Sequence, residues 1–188
     1  VEAVATAALP AMVQLNGTTT VKNSSYFGYG QSYEATSSGT GIIVGKSDTE
    51  LLIVTNAHVV DNVDNLKCVF SDGTSASCSV KGSKSDQDIA VAAVSLSDIS
   101  SDTASNIAIA ELEDSSDIKV GQQVVAIGNA LGEGQSVTTG IISAKDRSIT
   151  VNNVTFTGLL MTDAAINSGN SGGALLNSEG KVLSLIHI

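Results

Sequence analysis

A glycine-rich segment in the last part of the sequence carries a serine that could act as a nucleophile. Ser171 stands between Gly169-Asn170 and Gly172-Gly173. Glycines on both sides would let the backbone turn sharply and approach a substrate closely, and the N–H groups of such a turn could bind a developing oxyanion. An ordinary Gly/Ser-rich β-turn has the same composition, so the segment by itself leaves both interpretations open.

A serine nucleophile needs a base, and the chain has 2 histidines. His58 follows the apolar residues 51–55, which we predict as a strand whose end is a rigid place from which to aim an imidazole. A carboxylate must then hold the imidazole tautomer and stabilise the imidazolium. Asp88 precedes the apolar residues 89–96, a second predicted strand, and is our candidate. Asp86 is the alternative, but it lies further into a polar loop.

The order of these residues along the chain separates two types of serine hydrolase. The pattern Gly-x-Ser-x-Gly also fits the nucleophile elbow of α/β-hydrolases, in which a helix follows the serine and an acid and a histidine come later. After Ser171 the sequence has no Asp, and its remaining histidine is His187. The nucleophile-elbow interpretation is therefore excluded, because the acid and the base do not follow the serine in the required order. The order His58, Asp88, Ser171 is instead that of the chymotrypsin-type constellation.

Over most of its length, roughly from Pro10 to Val182, the sequence resembles the bacterial HtrA/Deg (high-temperature-requirement) proteases. The similar segments are residues 39–44, 55–60, 88–91, 126–131, 136–144 and 162–176. The resemblance implies a trypsin-like serine endopeptidase with Ser171 as nucleophile, His58 as general base and Asp88 as its orienter. It also implies hydrolysis through an acyl-enzyme intermediate, without a cofactor.

The same resemblance assigns the groups around the nucleophile. The backbone N–H groups of Gly169 and Ser171 would form the oxyanion hole. Ala165, six residues before the nucleophile, would lie at the base of the S1 pocket and is followed by Ile166. An uncharged, shallow apolar pocket predicts cleavage after Val, Ala, Leu or Ile. One departure from the family is Ser168, which stands where the family usually has Pro, in the loop that carries the oxyanion hole.

Two cysteines flank a predicted hairpin turn. Cys68 and Cys78 lie on either side of Asp72-Gly73, a pair that suits the positive φ angles of a tight turn. A disulfide could form if a bulge places residue 68 opposite residue 78, and two free thiols are the alternative. Two cysteines and two scattered histidines do not predict a metal site.

Composition and the spacing of apolar runs predict an all-β protein. The 188 residues are 42% hydrophobic, with 18 Gly and 1 Pro, and Val and Ile cluster in short runs. We expect two tandem six-stranded antiparallel β-barrels of the chymotrypsin/trypsin type. Residues 1–104 would contain a short helix at 2–9 and the first barrel, with His58 and Asp88. Residues 105–188 would form the second barrel with Ser171, and the Ser/Asp-rich stretch 97–118 would mark the boundary.

Three further expectations concern local segments. Residues 16–36 are polar and punctuated by Gly and Tyr, which predicts a long surface loop. Asn152-Asn153 predicts a hairpin turn. From Leu183 onward the sequence departs from the family pattern. We therefore expect an incomplete second barrel that is truncated before its closing strand and leaves an edge unpaired.

Charge limits the classes of partner. A net charge of −10 argues against nucleic acid and against docking on an anionic membrane. No run approaches the ~20 apolar residues of a membrane-spanning helix, and no signal peptide is visible. The resemblance implies unfolded polypeptides as substrates, quality control of misfolded envelope proteins, an extracytoplasmic location and a homotrimer. The alternative function is a pseudo-protease or holdase that binds unfolded chains without cleaving them.

Overall fold

The computed structural model describes residues 1–22, 32–129, 134–151 and 153–187. Its strands form one closed barrel of six strands and a separate five-stranded sheet, both antiparallel throughout. The predicted all-β class is confirmed. The second unit is an open, incomplete barrel, as the sequence leads us to expect.

The six strands of the barrel are β1 Met12–Lys22, β2 Ser32–Lys46, β3 Glu50–Thr55, β4 Asn65–Val69, β5 Ser75–Lys84 and β6 Ile89–Ser95. They are hydrogen-bonded in the order β1-β2-β3-β6-β5-β4, and β1 closes the barrel by pairing with β4. Buried and half-buried residues alternate along β3, because successive side chains of a strand point to opposite faces. Its buried residues Leu51 and Ile53 pack in the barrel core with Val13, Leu15 and Val94.

Short helices lie at the start of the chain, between β3 and β4, and between the two units. They are the α-helices α1 Glu2–Ala8, α2 Ala57–Val60 and α3 Ser101–Asn106 and single 3₁₀ turns at Leu9–Ala11, Leu96–Asp98 and Ser115–Asp117. The predicted N-terminal helix is α1, which ends before Pro10. α3 lies in the stretch 97–118, and the domain division at residue 104 stays a prediction. In the described parts of the chain, no helix combines the length and hydrophobicity needed to cross a membrane.

The strands of the second unit are β7 Gln123–Gly128, β8 Ser136–Val151, β9 Val154–Thr162, β10 Ala174–Leu176 and β11 Val182–Leu185. They are hydrogen-bonded in the order β11-β10-β7-β8-β9. The apolar pattern predicts separate strands at 137–143 and 148–151, but β8 runs through both. The pairing register of β8 with β9 shifts three times. The interruptions in the apolar pattern of this segment therefore correspond to bulges within one strand and not to turns between two strands. The predicted hairpin joins β8 to β9, where Asn153 has a φ of 64°.

The predicted loop over residues 16–36 is wrong where the structure describes it. β1 continues to Lys22 and β2 begins at Ser32. Residues 16–22 and 32–38 pair with each other in an unbroken register and form a two-stranded arm. Residues 18–21 are Thr-Thr-Thr-Val, β-branched side chains that favour a strand. Because most of the arm is exposed or half-buried, it lacks the apolar alternation by which a strand is recognised. Residues 23–31 lie outside the described residues.

Cys68 and Cys78 are free thiols in this structure. Cys68 pairs with Ala76 and Cys78 pairs with Leu66, so the two cysteines are diagonal rather than opposite neighbours. Diagonal Cα atoms lie about 7–8 Å apart, whereas a disulfide joins Cα atoms ~4.4–6.8 Å apart. The bulge that a bridge requires does not occur in the described pairing of β4 with β5. A hydrogen bond with Cys78 and burial both raise the pKa of the Cys68 thiol.

An apolar cluster joins the two units. Ala8 of α1, Met12 of β1 and Ile42 of β2 pack against Ile127 of β7 and Leu176 of β10. All five side chains are buried. This cluster fixes the second sheet against the outside of the barrel, so that the loop before β10 lies beside the segment that follows β3.

Candidate active site

His58 lies on a one-turn helix that the barrel core holds in place. β3 ends at Thr55, and α2 follows with Ala57, Val59 and Val60 all buried. These three apolar side chains anchor the helix. His58 is the remaining residue of the turn, and 47% of its side chain is exposed. The local sequence therefore fixes the backbone of His58 while it leaves the imidazole accessible to a substrate.

Asp88 lies immediately before β6 and is bonded to His58 at two points. Its Oδ1 accepts a hydrogen bond from the backbone N–H of His58 at 2.9 Å, and its Oδ2 lies 2.7 Å from His58 Nδ1. The backbone of Asp88 has a φ of 52°, a conformation that costs an L-residue about 1–2 kcal/mol. Asn56 stabilises it, because its Nδ2 donates to the Asp88 carbonyl at 2.9 Å. The alternative acid, Asp86, is directed to solvent with a side chain 68% exposed and contacts Lys84.

This arrangement determines which imidazole nitrogen is free. An ionised carboxylate only accepts hydrogen bonds, so His58 Nδ1 carries the hydrogen that Asp88 accepts. The lone pair of Nε2 is then available to take a proton. The Asp88 side chain is only 7% exposed, so its negative charge lies close to the ring and poorly screened by water. Such a carboxylate stabilises the imidazolium that forms when Nε2 is protonated.

The loop that carries Ser171 is held by Thr40, a buried residue of β2. The backbone N–H of Thr40 donates to the carbonyl of Ser171 at 2.8 Å, and its Oγ1 donates to the carbonyl of Gly169 at 2.9 Å. The same hydroxyl accepts from the N–H of Asn129 at 2.8 Å. Only glycine fits at residue 172, where φ is 82° and a Cβ would lie 2.2 Å from the Thr40 carbonyl oxygen. The position of Ser171 is therefore set by a residue of the barrel.

Close packing brings this loop against the segment that carries His58. A Cβ on Gly39 would lie 2.7 Å from the side chain of Val59 and 3.2 Å from the carbonyl oxygen of Ser171. A Cβ on Gly172 would lie 2.3 Å from Thr55 Oγ1. Thr55, at the end of β3, thus lies against Gly172 of the serine loop, and Gly39 lies between Val59 and the Ser171 carbonyl. The structure hydrogen-bonds His58 to Asp88 directly. Among the described residues it shows no hydrogen bond between the Ser171 hydroxyl and His58, and what it places next to the His58 segment is the loop that carries Ser171.

The sequence-predicted oxyanion donors belong to a regular turn. The N–H of Asn170 donates to the carbonyl of Asn167 at 3.0 Å, which closes a four-residue turn with Ser168 and Gly169 in its centre. Gly169 has a φ of 94°, a value that favours glycine. Ser168, which replaces the usual proline of the family, therefore does not prevent the turn from forming. The N–H groups of Gly169 and Ser171 lie on this turn and on the residue that follows it.

An apolar cavity of about 480 Å³ opens beside the site. Ile166, Leu175, Ile186 and His187 are among the residues that line it. Ala165, the other residue predicted for the S1 pocket, is exposed and is not one of the lining residues. Its carbonyl accepts a hydrogen bond from Thr138 Oγ1 at 2.9 Å.

His187 also contacts the His58–Asp88 pair, a contact that the sequence analysis missed. Its Nε2 lies 2.9 Å from Asp88 Oδ2, and its ring centroid lies 5.9 Å from that of His58. Two hydrogen bonds of Ile186 place it there: the Ile186 carbonyl accepts from the N–H of Gly172 at 3.0 Å, and the Ile186 N–H donates to Gly173 at 2.8 Å. A predicted antiparallel pairing of β10 with β11 would have provided the signal, because the hydrogen bonds of Ile186 with Gly172 and Gly173 continue from that pairing and place the next residue, His187, beside the serine loop.

His58, Asp88 and His187 are also a group of three potential metal ligands. One ligand atom from each side chain lies within 4.8 Å of the other two. The sequence analysis predicts no metal site because the histidines are far apart in the chain. The fold brings them together.

Comparison with known proteins gives a consistent result. Residues 39–185 match the family model of the trypsin-like peptidase domain. The chain is 37% identical over 185 residues to the serine protease Do-like HtrA of Bacillus subtilis, and this match covers 94% of the chain and 40% of that protein. It is 37% identical over 158 residues to the periplasmic serine endoprotease DegP of Escherichia coli, covering 84% of the chain and 31% of that protein. Among solved structures, the HtrA-type protease AlgWS227A with decapeptide has a TM-score of 0.81 at 31% identity, over 96% of this chain and 56% of that one.

The fold, the His–Asp pair on the barrel and the glycine-flanked serine on the second unit are those of a trypsin-like peptidase domain. The chain belongs to this family, and within it to the HtrA/Deg type. It spans less than half the length of the curated relatives named above.

Proposed function

We propose that this domain is a serine endopeptidase in which Ser171, His58 and Asp88 form the catalytic triad. The observation that carries the proposal is the pair of hydrogen bonds between the Asp88 carboxylate and His58, one to the imidazole and one to the backbone N–H. Two contacts from a buried carboxylate fix both the position and the tautomer of the ring, which is what a general base requires.

The mechanism follows from the roles of these groups. Ser171 Oγ attacks the scissile carbonyl carbon while His58 Nε2 takes the hydroxyl proton. Asp88 stabilises the resulting imidazolium, and the N–H groups of Gly169 and Ser171 donate to the oxyanion of the tetrahedral intermediate. His58 then gives the proton to the leaving amine as the acyl-enzyme forms. Water, activated by the same imidazole, hydrolyses the acyl-enzyme and restores Ser171.

Unfolded polypeptides are the proposed substrates. β11 is the edge strand of its sheet and lies beside the cavity. Its first residue, Val182, is already bridged to Leu112, so an extended peptide could pair with the rest of the strand, residues 183–185, by β-strand addition. Ile166 contributes an apolar wall to the cavity, and we propose cleavage after Val, Ala, Leu or Ile, with Ile166 as an S1 residue. Ala165 lies outside the cavity lining, and its place in S1 rests on the family resemblance alone. The AlgW structure with a decapeptide supports a peptide ligand for this type of site.

Cellular role and assembly are proposed from the relatives. The name of the Escherichia coli relative is that of a periplasmic protease. We propose an extracytoplasmic location at the bacterial envelope, quality control of misfolded proteins as the role, and a homotrimer as the assembly. No cofactor is required by the proposed mechanism.

Labelling with a fluorescent fluorophosphonate tests the proposal, because this reagent forms a covalent adduct only with an activated serine. We expect one adduct per chain, located on Ser171 by peptide mass spectrometry, together with cleavage of unfolded casein. The control is Ser171→Ala, which should show neither adduct nor cleavage. A wild-type protein that stays unlabelled yet suppresses aggregation of unfolded casein would contradict the proposal and indicate the holdase function.

A further inference from the structure

We propose that His58 Nδ1, Asp88 Oδ2 and His187 Nε2 form a binding site for one divalent transition-metal ion, which we take to be Zn²⁺. The two nitrogens lie 2.7 and 2.9 Å from the shared carboxylate oxygen, and the three atoms lie within 4.8 Å of one another. Imidazole nitrogen and carboxylate oxygen are ligands that Zn²⁺ takes, and open zinc sites use three protein ligands and a water.

The geometry requires a small opening of the cluster. With bonds of ~2.0–2.1 Å to zinc, tetrahedral ligands lie about 3.3–3.4 Å from one another. The two nitrogen–oxygen distances must therefore each increase by roughly half an ångström. The imidazoles can make this movement, because the side chains of His58 and His187 are 47% and 25% exposed.

Asp88 provides the fixed point of the site. Its side chain is 7% exposed, and its Oδ1 is held by the backbone N–H of His58. This bond leaves Oδ2 as the coordinating oxygen, so Asp88 would bind the metal through one oxygen. The carboxylate also supplies a negative charge at the ion, which lies in a chain of net charge −10.

Metal binding would stop the proposed reaction, and this consequence rests on the proposed function. A neutral imidazole coordinated through Nδ1 carries its hydrogen on Nε2. That nitrogen can then no longer accept the proton of Ser171. Zinc thus displaces the hydrogen bond from His58 Nδ1 to Asp88, forces the ring hydrogen onto Nε2 and acts as a reversible inhibitor.

The experiment uses the 188-residue chain, freed of metal with EDTA and then desalted. Zn²⁺ binding is measured by titration calorimetry, and fluorophosphonate labelling is measured in the same samples with and without zinc. We expect one zinc ion per chain, loss of labelling at saturation, and full recovery when EDTA is added. Co²⁺ in place of Zn²⁺ should give visible absorption bands of a site with nitrogen and oxygen ligands, without a thiolate charge-transfer band.

Two variants separate this site from other ligands. His187→Gln keeps an N–H donor for Asp88 but removes the imidazole, and it should weaken zinc binding on the order of 10–100-fold or more, the range for losing even an outer partner of a metal ligand. Zinc inhibition, measured as the ratio of labelling with and without the ion, should weaken in parallel. The double variant Cys68→Ser, Cys78→Ser removes both thiols and should bind zinc as the wild type does.

Each outcome of these measurements either supports or overturns the proposed metal site. Absence of zinc binding by the wild type, binding that His187→Gln leaves unchanged, or binding that the cysteine variant loses would overturn the site. A thiolate charge-transfer band in the Co²⁺ spectrum of the wild type would also overturn the site. This test needs no variant, so it remains valid if a variant fails to fold. If the metal-free chain binds zinc at this site but is never labelled, the site stands and the proposed protease function fails. If it is labelled and binds no zinc, only the metal site fails.

Discussion

Replacing Thr40 with valine tests whether the barrel positions the nucleophile loop. Valine has nearly the shape of threonine but lacks the hydroxyl that donates to the Gly169 carbonyl and accepts from the Asn129 N–H. Asn129 is 1% exposed, so its unpaired N–H should cost about 1–3 kcal/mol of unfolding free energy. The Gly169 carbonyl is half-buried and regains some water. We therefore expect Thr40→Val to lower the free energy of unfolding by about 1–3 kcal/mol.

The same substitution should also slow catalysis. Gly169 supplies one of the two proposed oxyanion donors, and loss of one such donor typically costs on the order of 10²–10³ in kcat. We expect kcat/KM of Thr40→Val for casein peptides to fall on the order of 10²-fold, measured on samples shown to be folded by urea titration. Thr40→Ser is the matched control, because it keeps the hydroxyl and loses only a methyl group. If Thr40→Val is as active and as stable as Thr40→Ser, the positioning role of the hydroxyl is refuted.

Three other predictions test the remaining groups. Ser171→Ala should leave the fold intact and reduce kcat for casein on the order of 10⁶-fold; residual cleavage near the wild-type rate would show another nucleophile. Asp88→Asn should reduce kcat on the order of 10⁴-fold because the amide favours the wrong imidazole tautomer, with Asp86→Asn as the near-neutral control; the reverse ranking would mean that the acid is misassigned. Cys68, whose raised pKa keeps the thiol protonated, should resist iodoacetamide at pH 8 until urea unfolds the chain, as followed by peptide mass spectrometry; rapid alkylation in the native state would contradict its burial.

Much of the fold could be predicted because apolar alternation and turn residues are local signals. The strands around Leu51 and Ile53 and the hairpin at Asp72-Gly73 follow from them directly. The arm formed by β1 and β2 could not be found in this way. Its residues are mostly polar and are exposed or half-buried, and they are extended because they pair with each other across the arm. Such a strand is specified by its partner rather than by its own pattern.

Some residues of the site can likewise be predicted from local sequence, whereas others are brought there only by long-range contacts. The types and order of His58, Asp88 and Ser171 are visible in the sequence. The residues that hold or contact them are not, because the Thr40 hydroxyl bonds Gly169 across 129 positions in sequence, and His187 reaches Asp88 only after β11 has paired with β10. A histidine that lies far from the other site residues in sequence, such as His187, can therefore belong to the site. The absence of a metal-ligand spacing does not exclude a metal site built from three elements.

Ser168 offers a test of the turn that carries the proposed oxyanion hole. The bond from the Asn170 N–H to the Asn167 carbonyl and the φ of 94° at Gly169 define a type II turn, in which Ser168 occupies the position where proline is favoured. Ser168→Pro should therefore fit the native backbone and raise the free energy of unfolding by about 0.4–1 kcal/mol, because proline restricts the unfolded chain. Ser168→Ala is the control and should change stability little, since it alters the side chain without fixing φ. Urea unfolding of the two variants measures the difference, and fluorophosphonate labelling should be retained in both. A destabilised or unlabelled Ser168→Pro, next to a normal Ser168→Ala, would show that the backbone at residue 168 is not that of a type II turn in the active protein.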